Sequence, residues 1–212
     1  MKKYLLILFF SAIATYSFAQ EQISIKISPA LSYGRVHTDP DTANFKSDGI
    51  ALRGKLGAVY DWPIKENYYL STGAFFVAKQ ISIKKDDASN LKERHEIQYL
   101  QVPVLLKLYT SEIMLDTRLY VEFGVTGALK INDRVTNLIG DEQFITKLRR
   151  WEIGGVIGCG VEYNFSLFTS IFAGITYQPA FSSMLLDQRD NSTLPKLFGY
   201  ADLITIDIGI KF

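Results

Sequence analysis

The chain has 212 residues, with 23 Lys and Arg against 22 Asp and Glu, for a formal net charge of +1. So even a balance leaves no basic footprint for a nucleic-acid partner. A lone cysteine, Cys159, excludes an internal disulfide and a Cys-rich metal site. The chain opens on Met1, Lys2 and Lys3, followed by an apolar run to Ile13 and by Ser17-Phe18-Ala19 before Gln20. That order predicts a cleaved signal peptide over 1–19 and one mature domain over 20–212. Loss of Lys2 and Lys3 takes the net charge from +1 to −1. The apolar run is too short for a membrane-spanning helix, which needs roughly 20 residues. No later segment is continuously apolar, and Cys159 lies far from the cleavage site, so it is expected to face lipid rather than carry a lipid anchor.

Alternation of apolar and polar residues predicts eight strands. The first, over 22–35, sets Ile23, Ile25, Ile27, Leu31 and Tyr33 against Ser24, Lys26, Ser28 and Ser32. The second, over 49–62, sets Leu52, Leu56 and Tyr60 against Arg53, Lys55 and Asp61. The third, over 68–83, opposes Leu70, Ala74 and Phe76 to Ser71, Gly73 and Lys79, although Phe75 and Val77 blur its faces. The fourth, over 96–109, carries Leu100, Val102, Val104 and Leu106 opposite Gln101 and Lys107. The fifth, over 118–131, alternates most cleanly, with Leu119, Val121, Phe123 and Val125 opposite Tyr120, Glu122, Thr126 and Lys130. The sixth, over 149–165, opposes Trp151, Ile153 and Ile157 to Glu152 and Glu162. The seventh, over 167–181, opposes Ile171, Ala173 and Ile175 to Ser170, Thr176 and Gln178. The last runs from Leu203 to Phe212, with Ile204, Ile206, Ile208, Ile210 and Phe212 on one face and Asp207 and Lys211 on the other.

The connections alternate between short ones near 63–67, 110–117 and 164–166 and long polar ones at 36–48, 84–95, 132–148 and 182–199. Ten-residue alternating segments with unequal loops, a signal peptide and a closing aromatic strand predict an all-β fold: an eight-stranded antiparallel up-and-down transmembrane β-barrel of an outer membrane. An even strand number places both termini on the short-turn, periplasmic side and the long loops outside. Tyr60, Trp62, Tyr68, Tyr69, Tyr109, Tyr163, Phe165 and Phe212 map to one aromatic girdle, and Tyr33, Trp151, Tyr177, Phe181 and Tyr200 to the other.

An eight-stranded barrel has an interior just wide enough for side chains to fill. The inward face is expected to hold a charge network of Lys26, Arg53, Lys55, Lys107, Glu122, Lys130, Glu152, Glu162 and Asp207, with Asp61, Lys79 and Lys211 beside it, because buried charges must be paired. Inward glycines, including Gly158, Gly160, Gly174 and Gly209, would leave room for long Lys and Arg side chains. Pro103 lacks a ladder donor and predicts a bulge or irregularity.

Tyr99-Leu100-Gln101-Val102-Pro103-Val104-Leu105-Leu106-Lys107 resembles the Y-L-E-I-P-L-L-L-K signature of the outer-membrane β-barrel family abundant in Bacteroidota, to which PorT-like proteins belong. Phe18-Ala19-Gln20, Gly160-Val161-Glu162-Tyr163 and the closing Asp207-Ile208-Gly209-Ile210-Lys211-Phe212 are similar to that group as well, and the likeness spans essentially the mature chain. The resemblance implies insertion by the barrel-assembly machinery, with Phe212 ending the strand read as the assembly signal. The family's Glu is Gln101 here.

The expected function is non-enzymatic, with no catalytic, metal or cofactor residues: a monomeric integral barrel among outer-membrane lipid, in envelope structure or partner interaction, extending to a PorT-like accessory of a secretion complex. The alternatives are an outer-leaflet lipid-modifying enzyme and a narrow channel. The enzyme would need a serine beside His37 or His95, with Ser32 and Ser47 as candidates, and no spacing singles them out. Met184-Leu185-Leu186 and the apolar run 194–198 are read either as a lid over the barrel mouth or as a docking surface.

Overall fold

The computed structural model describes residues 22–39, 45–85, 92–139, 147–166, 168–187 and 196–212. The expected signal segment 1–19, the middle of the charged loop at 86–91, and Leu194 with Pro195 lie outside the described residues. The strands are β1 (Gln22–Asp39), β2 (Phe45–Ser47), β3 (Ile50–Lys65), β4 (Tyr68–Lys85), β5 (Lys92–Tyr109), β6 (Thr117–Ile139), β7 (Lys147–Leu148), β8 (Trp151–Asn164), β9 (Ser170–Gln178), β10 (Leu185–Asp187) and β11 (Lys196–Lys211). Eight of them form one closed wall in the order β4-β3-β1-β11-β9-β8-β6-β5, with β5 returning to β4 and every pair antiparallel.

The alternation read from the sequence becomes two faces of this wall. One circuit of the register passes Trp151, Leu129, Leu100, Phe76, Leu56, Ile27, Ile208 and Ala173 and returns to β8 at Val161, ten residues beyond its start. That stagger is the shear that tilts the strands of a closed barrel. Every residue on the circuit is apolar and exposed on the outside. Water would penalise so continuous an apolar belt, and hydrocarbon would not. Trp62, Tyr68, Tyr163, Phe165 and Phe212 are exposed toward the short-turn end, and Trp151 and Phe181 toward the other. Cys159 is exposed on the outer face of β8.

Several strands run further than their apolar pattern. β1 continues to Asp39, β5 begins at Lys92, β6 extends to Ile139 and β11 begins at Lys196. Beyond the belt polar and apolar residues are mixed without a period of two, so alternation disappears while the backbone ladder continues. Pro103 keeps its register with Thr126 on β6 and causes no bulge. On the β4 side the pairing lapses between Thr72↔Val104 and Phe75↔Gln101 without a shift, and Thr72 Oγ1 donates to Pro103 O at 2.9 Å. Pro29 does the same between β1 and β11, where pairing lapses from Ile27↔Ile208 to Ala30↔Thr205.

The main irregularity lies between β3 and β4. Between the pairs Ser47↔Ile83 and Lys55↔Val77, residues 48–54 face only residues 78–82, so one side carries two extra residues. Gly49 supplies the left-handed turn, at φ 85°. β4 leans inward here: Ser32 of β1 accepts from Gln80 N–H and donates to Gln80 C=O. Both faces of β4 are consequently buried from Lys79 to Ile83.

An arginine in place of Ile157, in the middle of the outer face of β8, should cost about 2–4 kcal/mol of folding free energy in lipid vesicles, the range for a cation at the bilayer midplane. Denaturant titration of the refolded protein checks this, and an unchanged midpoint would contradict the lipid-facing assignment.

Candidate functional site: the barrel lumen

Three layers fill the lumen. The first, at the short-turn end, is aromatic and cationic. Tyr69, Tyr109, Tyr120 and Phe172 form a buried chain with ring centroids 5.3, 5.9 and 6.4 Å apart. Tyr69 and Tyr109 therefore leave the girdle expected for them. They share strand parity with Ser71 and Lys107, which face inward. The Lys107 ammonium lies 4.4 Å from the Tyr120 ring centroid and 3.4 Å from Asp61 Oδ2. Ser71 donates to the other Asp61 oxygen. Glu162 receives Lys211, Arg118 at 3.2 Å and the Tyr109 hydroxyl at 2.6 Å. Burial strengthens each of these contacts and makes each group costly to leave unpaired.

Gly160, Gly174 and Gly209 serve this layer, and what they seat is aromatic rather than Lys or Arg, whereas Gly158 lies against Thr176 and Glu122. A Cβ on Gly174 would come within 2.6 Å of the Tyr120 hydroxyl, and one on Gly209 within 2.6 Å of the Phe172 ring. No real Cβ contact is that short, so both glycines are required by close approach.

The second layer is a triad. Lys26 Nζ lies 3.0 Å from Glu122 Oε1 and 2.9 Å from Asp207 Oδ2, joining β1, β6 and β11. Thr176 donates to Asp207 at 2.5 Å, and Thr205 does so at 2.9 Å. Lys55 reaches the same level from β3. Among the described residues it has no carboxylate within salt-bridge distance, and its ammonium lies 4.2 Å from the Phe75 ring centroid.

The third layer, toward the long connections, is apolar. Phe75, Val77, Ile81, Ile97, Tyr99, Leu203 and Met184 form one buried cluster. Phe75 and Val77, ambiguous in sequence, face inward. Met184 is 1 % exposed, and its backbone bonds to Gly199 O and Arg149 N at 2.8 and 2.7 Å. Met184 and Leu185 thus form a lid on the cluster, the first of the two roles considered for them. One ion pair, Lys79–Glu152, is embedded here, with Lys79 also donating to Ala201 O at 3.2 Å.

Of the nine residues expected in the interior network, the structure brings Lys26, Glu122 and Asp207 together and gives Lys107, Glu152 and Glu162 other buried partners. Lys130 lies at the long-connection end, on Asp133 at 3.0 Å and Leu148 O at 3.4 Å. Arg53 is not in the lumen. It keeps register with inward Ala30 on β1, but the inward lean of β4 sets it against Gln80 and, at 2.5 Å, Glu96, which have the outward parity of β4 and β5. Sequence reading also missed Arg35–Asp202 at 2.7 Å and the buried His95–Glu93 contact at 2.6 Å. His37 is exposed, and the Ser32 hydroxyl is held by the Gln80 backbone. No Ser–His hydrogen bond is present among the described residues.

A closed barrel with an apolar outer belt and an ion-paired interior is an integral membrane barrel. The family model described as "outer membrane protein beta-barrel domain" matches residues 18–186, and the chain belongs to that family. Its place is the outer membrane. OprG from Pseudomonas aeruginosa has a similar structure, with 16% identity and a TM-score of 0.57 over 90% of this chain and 95% of that one. Neisserial surface protein A, from Neisseria, is similar at 11% identity and TM-score 0.44, over 88% and 95% of the two chains. At 16% identity the likeness to OprG is one of fold. No curated protein matches the sequence.

Removing one partner of the embedded pair, with Lys79→Met, should destabilise the barrel by about 3–5 kcal/mol, because Glu152 is left charged in an apolar layer. The double variant Lys79→Met with Glu152→Leu should recover most of that loss. Equal losses in both variants, measured by denaturant titration in vesicles, would contradict the pairing.

Proposed function

We propose that the protein is a non-enzymatic, non-conducting barrel that acts through its surfaces, in envelope structure or in contact with other envelope proteins. The filled lumen carries this reading. The pocket ringed by Lys26, Lys55, Lys107 and Glu122 holds a volume of about 20 Å³, room for one water-sized occupant. A solute path needs a continuous lumen, and the apolar layer and the aromatic layer stand across it.

In this reading the short turns and both termini face the periplasm, the long connections face outward, the segment 1–19 is removed on export, and the assembly machinery reads the strand ending at Phe212. The protein works as a monomer in lipid. Partner contact is supported at the short-turn end by Ile113, Met114 and Leu115 after β5 and by Phe165 and Phe168 after β8, all exposed. The two turns are tied together by Asn164 N–H donating to Asp116 O at 2.8 Å. Exposed apolar turns suit docking by a periplasmic protein. A PorT-like accessory role in secretion is the narrower form of the same proposal.

Purified protein in planar bilayers should give no conductance steps, and reproducible steps would return the channel reading. A strain lacking the gene, compared with its parent and a restored strain, tests the secretion role. Loss of specific proteins from the medium with accumulation in the periplasm supports the accessory. An unchanged secreted set removes it and leaves envelope structure or adhesion.

A further inference from the structure

We propose that the lumen holds a small monovalent anion of halide size, seated against Lys55. The observation is an unbalanced inventory. In the two layers nearer the short turns Lys26, Lys55, Lys107, Lys211 and Arg118 face Asp61, Glu122, Glu162 and Asp207, five cations to four carboxylates. The level of Lys26 and Lys55 is even with Glu122 and Asp207, and the excess lies in the aromatic layer, whose Lys107 lines the same cavity as Lys55. All four carboxylates are taken by cations other than Lys55. Lys55 is 6 % exposed, and the ring face of Phe75 is a far weaker partner than a counter-ion. A buried ammonium with no contact acceptor in such surroundings is costly unless something fills that place.

Space and polarity meet at the same point. The cavity of about 20 Å³ is lined by Lys55 together with Lys26, Lys107 and Gln101, and its one acid, Glu122, is engaged by Lys26. A halide ion is close to water in size and fits such a volume. Gln101 Oε1 and Gln178 Nε2 are both buried without partners, while Gln101 Nε2 faces Gln178 Oε1 at 3.4 Å. Exchanging N and O in both amides keeps that mutual bond, leaves Thr126 to donate to Gln101, and frees a Gln101 N–H. The lysine ammoniums and that amide are donors, which is what an anion needs.

Protein refolded and crystallised in sodium bromide should show an anomalous bromide peak beside Lys55 Nζ. The peak should vanish in Lys55→Met, a variant that breaks no direct ion pair. The wild type should also unfold at higher temperature in bromide than in gluconate of equal ionic strength, since gluconate is too large for the cavity, and Lys55→Met should not distinguish the two salts. A water in place of bromide, a peak that persists in Lys55→Met, or equal salt responses of the two proteins would each overturn the proposal.

Discussion

Closure of β1 onto β11 is the constraint on which the rest depends. Hydrocarbon offers no hydrogen-bond partner, so a sheet placed in it must have no open edge. The register from Ser24↔Lys211 to Asp39↔Lys196 joins the first strand to the last and leaves all eight with two neighbours. Once the wall is closed, the outer face needs only to be apolar. Prolines within strands are then tolerable one at a time. Pro29 and Pro103 each interrupt one ladder and keep the other.

Closing eight strands also fixes how much the interior must hold. A stagger of ten residues leaves a lumen narrow enough for side chains to fill, and the chain fills it with different chemistry at its two ends. Toward the short turns, lysines and carboxylates alternate with tyrosines packed edge to face, and glycines on β9 and β11 give the rings their seats. Toward the long connections, the inward lean of β4 brings Val77, Lys79 and Ile81 across the bore and lets Met184 cap them. The bulge between β3 and β4 makes that lean accessible to the chain, and Arg53 bridges the seam it opens. The bore is thus filled by side chains, with a cavity of about 20 Å³ beside Lys55.

Much of this was legible because a membrane barrel puts its apolar residues outside. Ile204, Ile206 and Ile208 read as one face whether or not a core exists, so strand number and parity came directly from alternation. Glu122, Asp207 and Lys26 could be placed inside because their parity opposes that belt. Arg53 was misplaced because β4 leans in at this point: Arg53 keeps register with inward Ala30, but its side chain meets the outward-parity Gln80 and Glu96 instead of the lumen, and only Gly49 hints at the bulge that allows it. Tyr69 and Tyr109 were misplaced because an aromatic suits both a girdle and a lumen, although their parity with Ser71 and Lys107 was available. Strand ends beyond the belt were not legible, since at Arg134 or His37 nothing alternates. Which cation meets which acid depends on the shear, and no local pattern encodes that.

The central claim is that the half of the lumen toward the long connections is dry and packed. Water-edited solid-state NMR of the protein in lipid bilayers tests it most directly, through transfer of magnetisation from water to the methyl groups of Val77, Ile97 and Leu203. The account predicts transfer to these methyls as slow as to the lipid-facing methyls of Ile157 and Ile208. Transfer as fast as to the exposed Ile113 and Leu115 would show a water-filled bore and contradict it.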